Sequence, residues 1–377
     1  MATNPGVSFG FASSQVLCSV FSSRLETRAV YLFNVSSRDI LEPYQFDRHE
    51  YAQDLFGFRP GYNDSLCNRL KEIDASFEPD IIISFTQNRY LEALFTGRVL
   101  FWELSPLPRV NSSLSLFMDP FGHQVNSIPN LYKDRIRSLS LSDEQLAGIG
   151  NVWHEKIVTP LHCHPLTPEI KEWLSPIQST KQIALLALQP PDWPTYEAAW
   201  RRSEIDQMIM QCTSEMPTDW VLVPIFHPDQ SLPEPLCRAI ESDFAGIRFP
   251  PRDLSSGKSE LFLPHVDAVI SISSSLSVQG IFHGKKVITL GQSQFSAFTN
   301  GSISKLDEIS PFPYPTSALM LAFLSNRYSH PLDACLTEPN YVAKAVRTLA
   351  GNIEAYFDFS EWSPSRLAPL LGPVKPG

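Results

Sequence analysis

Residues 263–291 read LPHVDAVISISSSLSVQGIFHGKKVITLG, and this segment has the pattern of one complete strand–helix–strand unit. The apolar run at 267–272 predicts a buried strand, and a helix is expected from about Ser275 to His283. A second strand at 286–290 ends at Gly291. Strands that alternate with helices in this way form parallel sheets, so the segment predicts an α/β fold.

The same alternation extends through both halves of the chain. Further strands are predicted at 29–35, 80–85, 98–103, 182–188 and 220–226, and Pro224 indicates an edge or irregular position for the last one. Helices are predicted at 65–77, 88–95, 142–156, 197–213 and 340–357, the third because Ser142 and Gln145 resemble a capping box at its start. The sequence therefore predicts two Rossmann-like, doubly wound domains facing a cleft. Their expected limits are a first domain at 1–165, a linker at 166–180, a second domain at 181–338, and a closing helix and tail at 339–377.

Composition excludes several classes of protein. Lys and Arg total 30 against 40 Asp and Glu, a net charge of −10, so the basic footprint of a nucleic-acid-binding protein is missing. The six cysteines are scattered without a CxxC pair, which indicates a reducing compartment. No apolar run is long enough to span a membrane, and the N-terminus lacks a signal-like positive start. We expect a cytoplasmic protein, with peripheral contact to the inner face of the membrane left open.

Polar residues follow the predicted strands, where ligands of open α/β sheets bind. His227 comes directly after the strand at 220–226, and Pro228 fixes the turn that aims the imidazole at a ligand phosphate. Ser274 and Ser275 begin the helix after the next strand, where hydroxyls and backbone N–H groups form an anion site. An ordinary loop histidine and N-capping serines explain the same patterns.

Two carboxylates also follow predicted strands directly or within a few residues. Asp192 follows the strand at 182–188 and is a candidate nucleophile or base, although turn aspartates are common. Glu103 and Arg109 follow the strand at 98–103, as a candidate base and a candidate clamp for an anionic group. A surface ion pair is the alternative for these two residues.

Motifs for metals and cofactors are absent from the sequence. His162 and His164 flank a cysteine, but no second ligand cluster matches them. There is no GxGxxG, Walker or GxSxG pattern, which disfavours dehydrogenases, kinases and esterases. We therefore expect neither a metal nor a cofactor.

Taken in order, these segments resemble the capsule polysaccharide biosynthesis family, which includes retaining β-Kdo transferases (Kdo is 3-deoxy-D-manno-oct-2-ulosonic acid). Residues 263–291 match its strand, serine pair, helix and Gly-Lys-x-Val-Ile-Thr-x-Gly pattern. The strand and His-Pro pair at 221–228 are similar to its nucleotide-phosphate motif, and 188–192 to its Leu-Gln-x-x-Asp segment. Residues 103–109, followed by 115–122, resemble its acidic acceptor-side motif and Asp-x-x-Gly turn.

The resemblance implies a GT-B-like glycosyltransferase that takes Kdo from CMP-β-Kdo without a metal, with the acceptor on the first domain. Asp192 would attack the anomeric carbon, Glu103 would deprotonate the acceptor, and Arg109 would bind it, building a bacterial capsule, O-antigen or glycolipid with retention. The residues that would bind the donor are Gln189, His227, Pro228, Ser273, Ser274, Ser275 and Gln279.

Three alternatives stay open. One is a transferase of the same fold that uses another nucleotide sugar. Another is a non-catalytic carbohydrate- or partner-binding relative, because the family usually has Asn where this chain has Ser273 and Glu where it has Gln279. The third is a sugar epimerase that binds a UDP-sugar in a similar cleft. Association with a biosynthetic complex is also compatible with the sequence.

Overall fold

The computed structural model describes residues 9–13, 30–34, 40–58, 63–85, 87–109, 114–190, 205–299, 301–338 and 340–372. Within these ranges the chain forms two four-stranded sheets and one two-stranded sheet, with helices packed between and around them. The predicted class, α/β with two Rossmann-like units facing a cleft, is confirmed.

Strands and helices alternate over much of the chain. The strands are β1 Phe9–Ser13, β2 Val30–Asn34, β3 Ile82–Ser84, β4 Val99–Leu104, β5 Ser115–Asp119, β6 Gln182–Ala187, β7 Trp220–Ile225, β8 Ala268–Ser271, β9 Lys286–Thr289 and β10 Ser329–Pro331. The α-helices are Arg48–Leu55, Asp64–Phe77, Arg89–Leu94, Ile128–Leu131, Lys133–Arg137, Asp143–Trp153, Thr159–Cys163, Thr167–Gln178, Ile205–Glu215, Glu234–Asp243, Ser259–Phe262, Leu276–Phe282, Tyr314–Phe323, Leu332–Thr337, Tyr341–Leu349, Ile353–Tyr356 and Ala368–Leu371.

The second sheet is fully parallel, in the order β7-β6-β8-β9. The chain passes from β6 to β7 on one side and then to β8 on the other, so the order reverses at β6. Such a reversal leaves a crevice beyond the carboxyl ends of the two adjacent strands at which it occurs, here β6 and β8. Both faces of β6 are covered, because Ile183 and Leu185 pack into one apolar cluster while Ala184 and Leu186 pack into another.

Pro224 lies in β7, which is an edge strand as predicted. The N–H groups of Leu222 and Phe226 point outward, to the carbonyls of Gly246 and Ser255 at 2.8 and 2.7 Å. Pro224 lies two residues from each of them, and alternate residues of a strand point the same way, so its nitrogen also faces outward. The missing N–H therefore removes no hydrogen bond to β6.

The first sheet, in the order β10-β5-β4-β3, is mixed, which differs from the parallel sheet expected there. β3 and β4 are parallel, whereas β5 is antiparallel to both β4 and β10. The connection from Leu104 to Ser115 is shorter than the dozen or more residues that a parallel crossover needs, so β5 runs antiparallel.

The chain returns to the first sheet after completing the second. The predicted domain limits assign 329–331 to the second domain, whereas β10 is hydrogen-bonded to β5 of the first sheet. The closing helix Tyr341–Leu349 follows, and it ends earlier than 357 because the chain turns at Gly351, whose φ is +65°. The other predicted limits stay predictions.

One apolar core joins the two sheets. Leu100 and Met118 of the first sheet belong to the same cluster as Ile183 and Leu185 of the second. The predicted linker at 166–180 is the helix Thr167–Gln178, and its buried side chains join this core. The two units are therefore held together by packing as well as by chain connections.

We predict that Gly351→Ala destabilises the protein more than Gly284→Ala. Both glycines have φ +65°, but an added Cβ at Gly351 would lie 2.8 Å from the carbonyl oxygen of Gly97, whereas the same atom at Gly284 has nothing within 4 Å. The left-handed backbone alone costs about 1–2 kcal/mol, and the clash should add about 1–3 kcal/mol. Chemical denaturation of both variants measures the difference, and equal losses would contradict the packing at Gly97.

Candidate functional site

A cleft of about 460 Å³ opens between the carboxyl ends of β6, β7 and β8 and the end of β4. Asp192 lies outside the described residues. All the other predicted site residues line this cleft: Glu103, Arg109, Gln189, His227, Pro228, Ser273, Ser274, Ser275 and Gln279. The structure thus brings together side chains from both sheets, while their individual roles stay predictions.

Gln189 and Ser273 connect the ends of β6 and β8 at the reversal of strand order. The Gln189 Oε1 accepts a hydrogen bond from the backbone N–H of Ser273 at 2.8 Å. Its Nε2 donates to the Ser273 Oγ at 3.1 Å. Both ends of the Gln189 amide therefore hold Ser273, so Gln189 shapes the serine loop that faces the cleft.

Hydrogen bonds within the serine loop fix its shape. The Ser271 Oγ lies 2.7 Å from the Ser277 Oγ and accepts from the Ser274 N–H at 3.2 Å. The Ser274 Oγ accepts from the Leu276 N–H at 3.2 Å, and a hydroxyl that accepts in this way keeps its own proton for donation. Ser273, Ser274 and Ser275 are half-buried at the cleft.

His227 lies opposite the serine loop, at the exit of β7. Its Nδ1 lies 3.2 Å from the Asp229 backbone N and 3.4 Å from the Asp229 Oδ2; the shorter contact, in which the backbone N–H donates, leaves the proton of the neutral ring on Nε2. Burial lowers the pKa of His227, the Arg109 guanidinium lowers it further, and Asp229 opposes both effects. The neutral ring is thus a hydrogen-bond donor at physiological pH.

Glu103 stands on the first-sheet side of the cleft. Its side chain keeps 43% of its surface exposed, yet desolvation by the surrounding cleft walls raises its pKa to about 7, and the nearby Arg109 guanidinium opposes that shift. The His123 Nδ1 lies 3.4 Å from the Glu103 Oε2, but burial lowers the pKa of His123 to about 3. A neutral imidazole offers no compensating charge, so Glu103 can exchange a proton near neutrality.

Glu260 is a cleft residue that sequence reasoning missed. Its two carboxylate oxygens each lie 3.0 Å from the backbone N of Arg109, and its Oε1 accepts from the Gln279 Nε2 at 2.8 Å. It lies on the short helix Ser259–Phe262 before β8 and not at the end of a strand, where ligand-binding residues of such sheets are expected. No local pattern in the sequence marks it.

A buried network behind the cleft holds the loop that carries His123. Asp119, at the end of β5, accepts from the N–H groups of Phe121, Gly122 and Ile128 at 2.9, 3.3 and 2.7 Å. The Tyr328 hydroxyl donates to Asp119 at 3.0 Å and accepts a close hydrogen bond from Gln294, which lines the cleft. The Asp-x-x-Gly turn at 119–122 therefore organises the wall of the site.

Metal ligands are not gathered in the described part of the chain, where no group of three or more His, Cys, Asp and Glu side chains is arranged to hold an ion. His162 lies on the helix Thr159–Cys163 and His164 follows it, and their Nδ1 atoms contact the backbone of Val158 and Leu166 at 2.8 and 3.2 Å. Among the described helices, none is both long and apolar enough to cross a bilayer.

We predict that Tyr328→Phe loosens the loop at 121–128, whereas Tyr356→Phe does not. Both tyrosines are fully buried, but the Tyr356 hydroxyl donates to the Met118 carbonyl at 2.9 Å rather than to the Asp119 carboxylate. Each variant should lose about 1–2 kcal/mol of stability because a buried partner is left unpaired. Hydrogen exchange should rise at the Phe121, Gly122 and Ile128 amides only in Tyr328→Phe, and unchanged exchange there would contradict the network.

Comparison with known proteins gives distant likenesses to solved structures. The β-Kdo 2,7 transferase KpsC of Thermosulfurimonas dismutans is 12% identical over 86% of this chain and 92% of that chain, with a TM-score of 0.43. A UDP-GlcNAc 2-epimerase from Neisseria meningitidis bound to UDP-GlcNAc is 12% identical over 96% of each chain, with a TM-score of 0.25. No family model and no curated protein matches the chain. At these TM-scores the fold rests on the strand order described above.

Proposed function

We propose that the protein is a glycosyltransferase that moves a sugar from a nucleotide donor to a hydroxyl group of an acceptor. One observation carries this proposal: polar residues from the ends of β4, β6, β7 and β8 line a single cleft between the two sheets. Its volume, about 460 Å³, is in the range of pockets that bind small organic ligands. A transfer between two substrates needs such a cleft, with one substrate on each side.

The second-sheet side of the cleft suits the nucleotide. The departing nucleotide carries negative charge on its phosphate, and preformed hydrogen-bond donors stabilise that charge. The Nε2–H of His227 and the hydroxyls of Ser274 and Ser275 provide donors, while Gln189 holds Ser273 beside them. Arg109 adds a positive charge that acts on both His227 and Glu103.

The donor that we propose is CMP-β-Kdo, used with retention. The Asp192 carboxylate attacks the anomeric carbon, the bond from that carbon to the phosphate oxygen breaks, and CMP leaves with the electron pair. An acceptor hydroxyl then gives its proton to Glu103 and displaces Asp192, which restores the free carboxylate. Gln189 lines the cleft, and Asp192 follows it three residues later in the sequence, which supports Asp192 as the nucleophile of the proposed reaction.

We predict that Asp192→Asn abolishes transfer and that wild-type protein mixed with CMP-Kdo acquires one Kdo mass on the peptide containing Asp192. The substitution removes the nucleophile, so the rate should fall by about 10³-fold or more. Asp134→Asn is a matched control, because Asp134 is exposed on the helix Lys133–Arg137, away from the cleft. Product analysis by mass spectrometry measures both effects.

Other outcomes of the same assay separate the alternatives. Turnover of a UDP-sugar alone would remove the Kdo donor while leaving the glycosyltransferase. Release of a free sugar epimer without an acceptor would indicate an epimerase. Nucleotide binding without transfer from any donor would indicate a non-catalytic relative.

We predict that the transfer rate rises with pH through about 7, as Glu103 loses its proton and becomes a base. Arg109→Gln removes a positive charge that lowers the pKa of Glu103, so the ascending limb should move to higher pH. Glu103→Gln should remove that limb and slow transfer by about 10²–10⁴-fold. A pH profile of kcat/KM tests this, and an unmoved limb in Arg109→Gln would exclude Glu103 as the titrating group.

A further inference from the structure

We propose that Glu260 is a positioning residue that fixes the orientation of the Gln279 amide and links the two sides of the cleft. The proposal deepens the proposed function and rests on it only where ligand binding is measured. Glu260 is buried, with 9% of its surface exposed, and it lines the cleft. Its carboxylate contacts both the Arg109 backbone and the Gln279 side chain.

Glu260 joins elements that are far apart in the chain. The backbone N–H of Arg109, in the loop after β4, points between its two oxygens, each 3.0 Å away. The Gln279 Nε2, on the helix that follows β8, donates to its Oε1 at 2.8 Å. One side chain thus connects the first-sheet wall that carries Glu103 with the second-sheet wall that carries the serine loop.

The orientation of the Gln279 amide follows from the chemistry of its partner. A carboxylate accepts hydrogen bonds and does not donate them, so the Nε2 must face Glu260. The Oε1 is then turned away, and it is buried with no hydrogen-bond partner among the residues that the structure describes. The Gln279 side chain is 1% exposed and lines the cleft.

An unpaired acceptor of this kind carries an energetic penalty that a ligand can relieve. Leaving a buried carbonyl oxygen without a partner is unfavourable, and a ligand hydroxyl or N–H that donates to it gains that energy on binding. If the amide rotated, its NH₂ would face the ligand donor and the interaction would become repulsive. By preventing rotation, Glu260 makes position 279 an acceptor for the ligand.

The charge of the pair is equally constrained. Gln279 is in direct contact with Glu260, so the substitution Gln279→Glu would place two carboxylates together, and one would have to take up a proton or move away. Combining it with Glu260→Gln exchanges the two roles. The amide then at position 260 would accept from the Arg109 N–H and donate to the carboxylate at position 279, which would still present an oxygen to the ligand. The pair should therefore tolerate the exchange better than either single substitution.

The test compares wild type, Glu260→Gln, Gln279→Glu and the double variant by titration calorimetry with CMP and with UMP. Each single variant should bind the preferred nucleotide about tenfold more weakly, and the double variant should return to within about threefold of wild type. Glu234→Gln is a matched control, because Glu234 is exposed and pairs with Arg238 outside the cleft. A double variant that binds no better than the worse single variant would overturn the proposal.

Thermal unfolding without ligand gives a readout that does not depend on the proposed function. Gln279→Glu should lower Tm at about pH 8, and the deficit should shrink toward about pH 5, because one of the two carboxyls then takes up a proton. The double variant should recover most of the Tm lost at pH 8. If wild type binds neither nucleotide, the proposed donor fails, and the Tm cycle alone decides whether Glu260 positions Gln279. A deficit that is independent of pH and unrescued would overturn the pairing.

Discussion

The structure depends on the central position of β6, which pairs in parallel with β7 on one side and with β8 on the other. The helices that lead away from β6 and β8 must diverge there, and the crevice at their origin cannot be filled by main chain. The Gln189 amide closes the floor of that crevice by holding Ser273. The position of the cleft is therefore a consequence of strand order, and the side chains around it take their places from strand ends.

The shared apolar core limits the motion of the two units relative to each other. Met118 lies in the first sheet and Leu185 in the second, yet both belong to one cluster, and the chain crosses back to form β10 beside β5. Polar contacts add to this packing, since the two ends of the Asn130 amide contact Ser293 and Ala297 at 2.7 and 2.8 Å. Large rotations between the units would break these contacts, so we expect the cleft to be largely formed before a ligand binds.

Local sequence patterns predicted the elements that have a local signature and missed those that depend on long-range pairing. The strand β6 was predicted because both its faces are buried, and the helix Asp143–Trp153 was predicted because Ser142 and Gln145 form a capping box that the structure contains. β5 was not predicted: the residues 115–119 were assigned only to a turn motif, although all five are buried. Its partner β10 lies more than 200 residues later, and such pairing has no local signature.

The same limit explains which site residues could be predicted. His227, Gln189 and the serines follow strands directly, so a rule about strand ends locates them. Glu260 reaches the cleft because the helix Ser259–Phe262 packs against Leu276–Phe282, a tertiary contact that no spacing encodes.

Arg109 shows how the two kinds of information combine. The sequence indicates its side chain by its charge and its place after β4, and the structure adds that Glu260 holds its backbone N–H. The positive charge of Arg109 lowers the pKa of Glu103, and under the proposed function the same charge attracts the donor phosphate. Because the Arg109 backbone N–H donates to Glu260, the point from which the guanidinium extends is held by a residue that the sequence alone left unmarked.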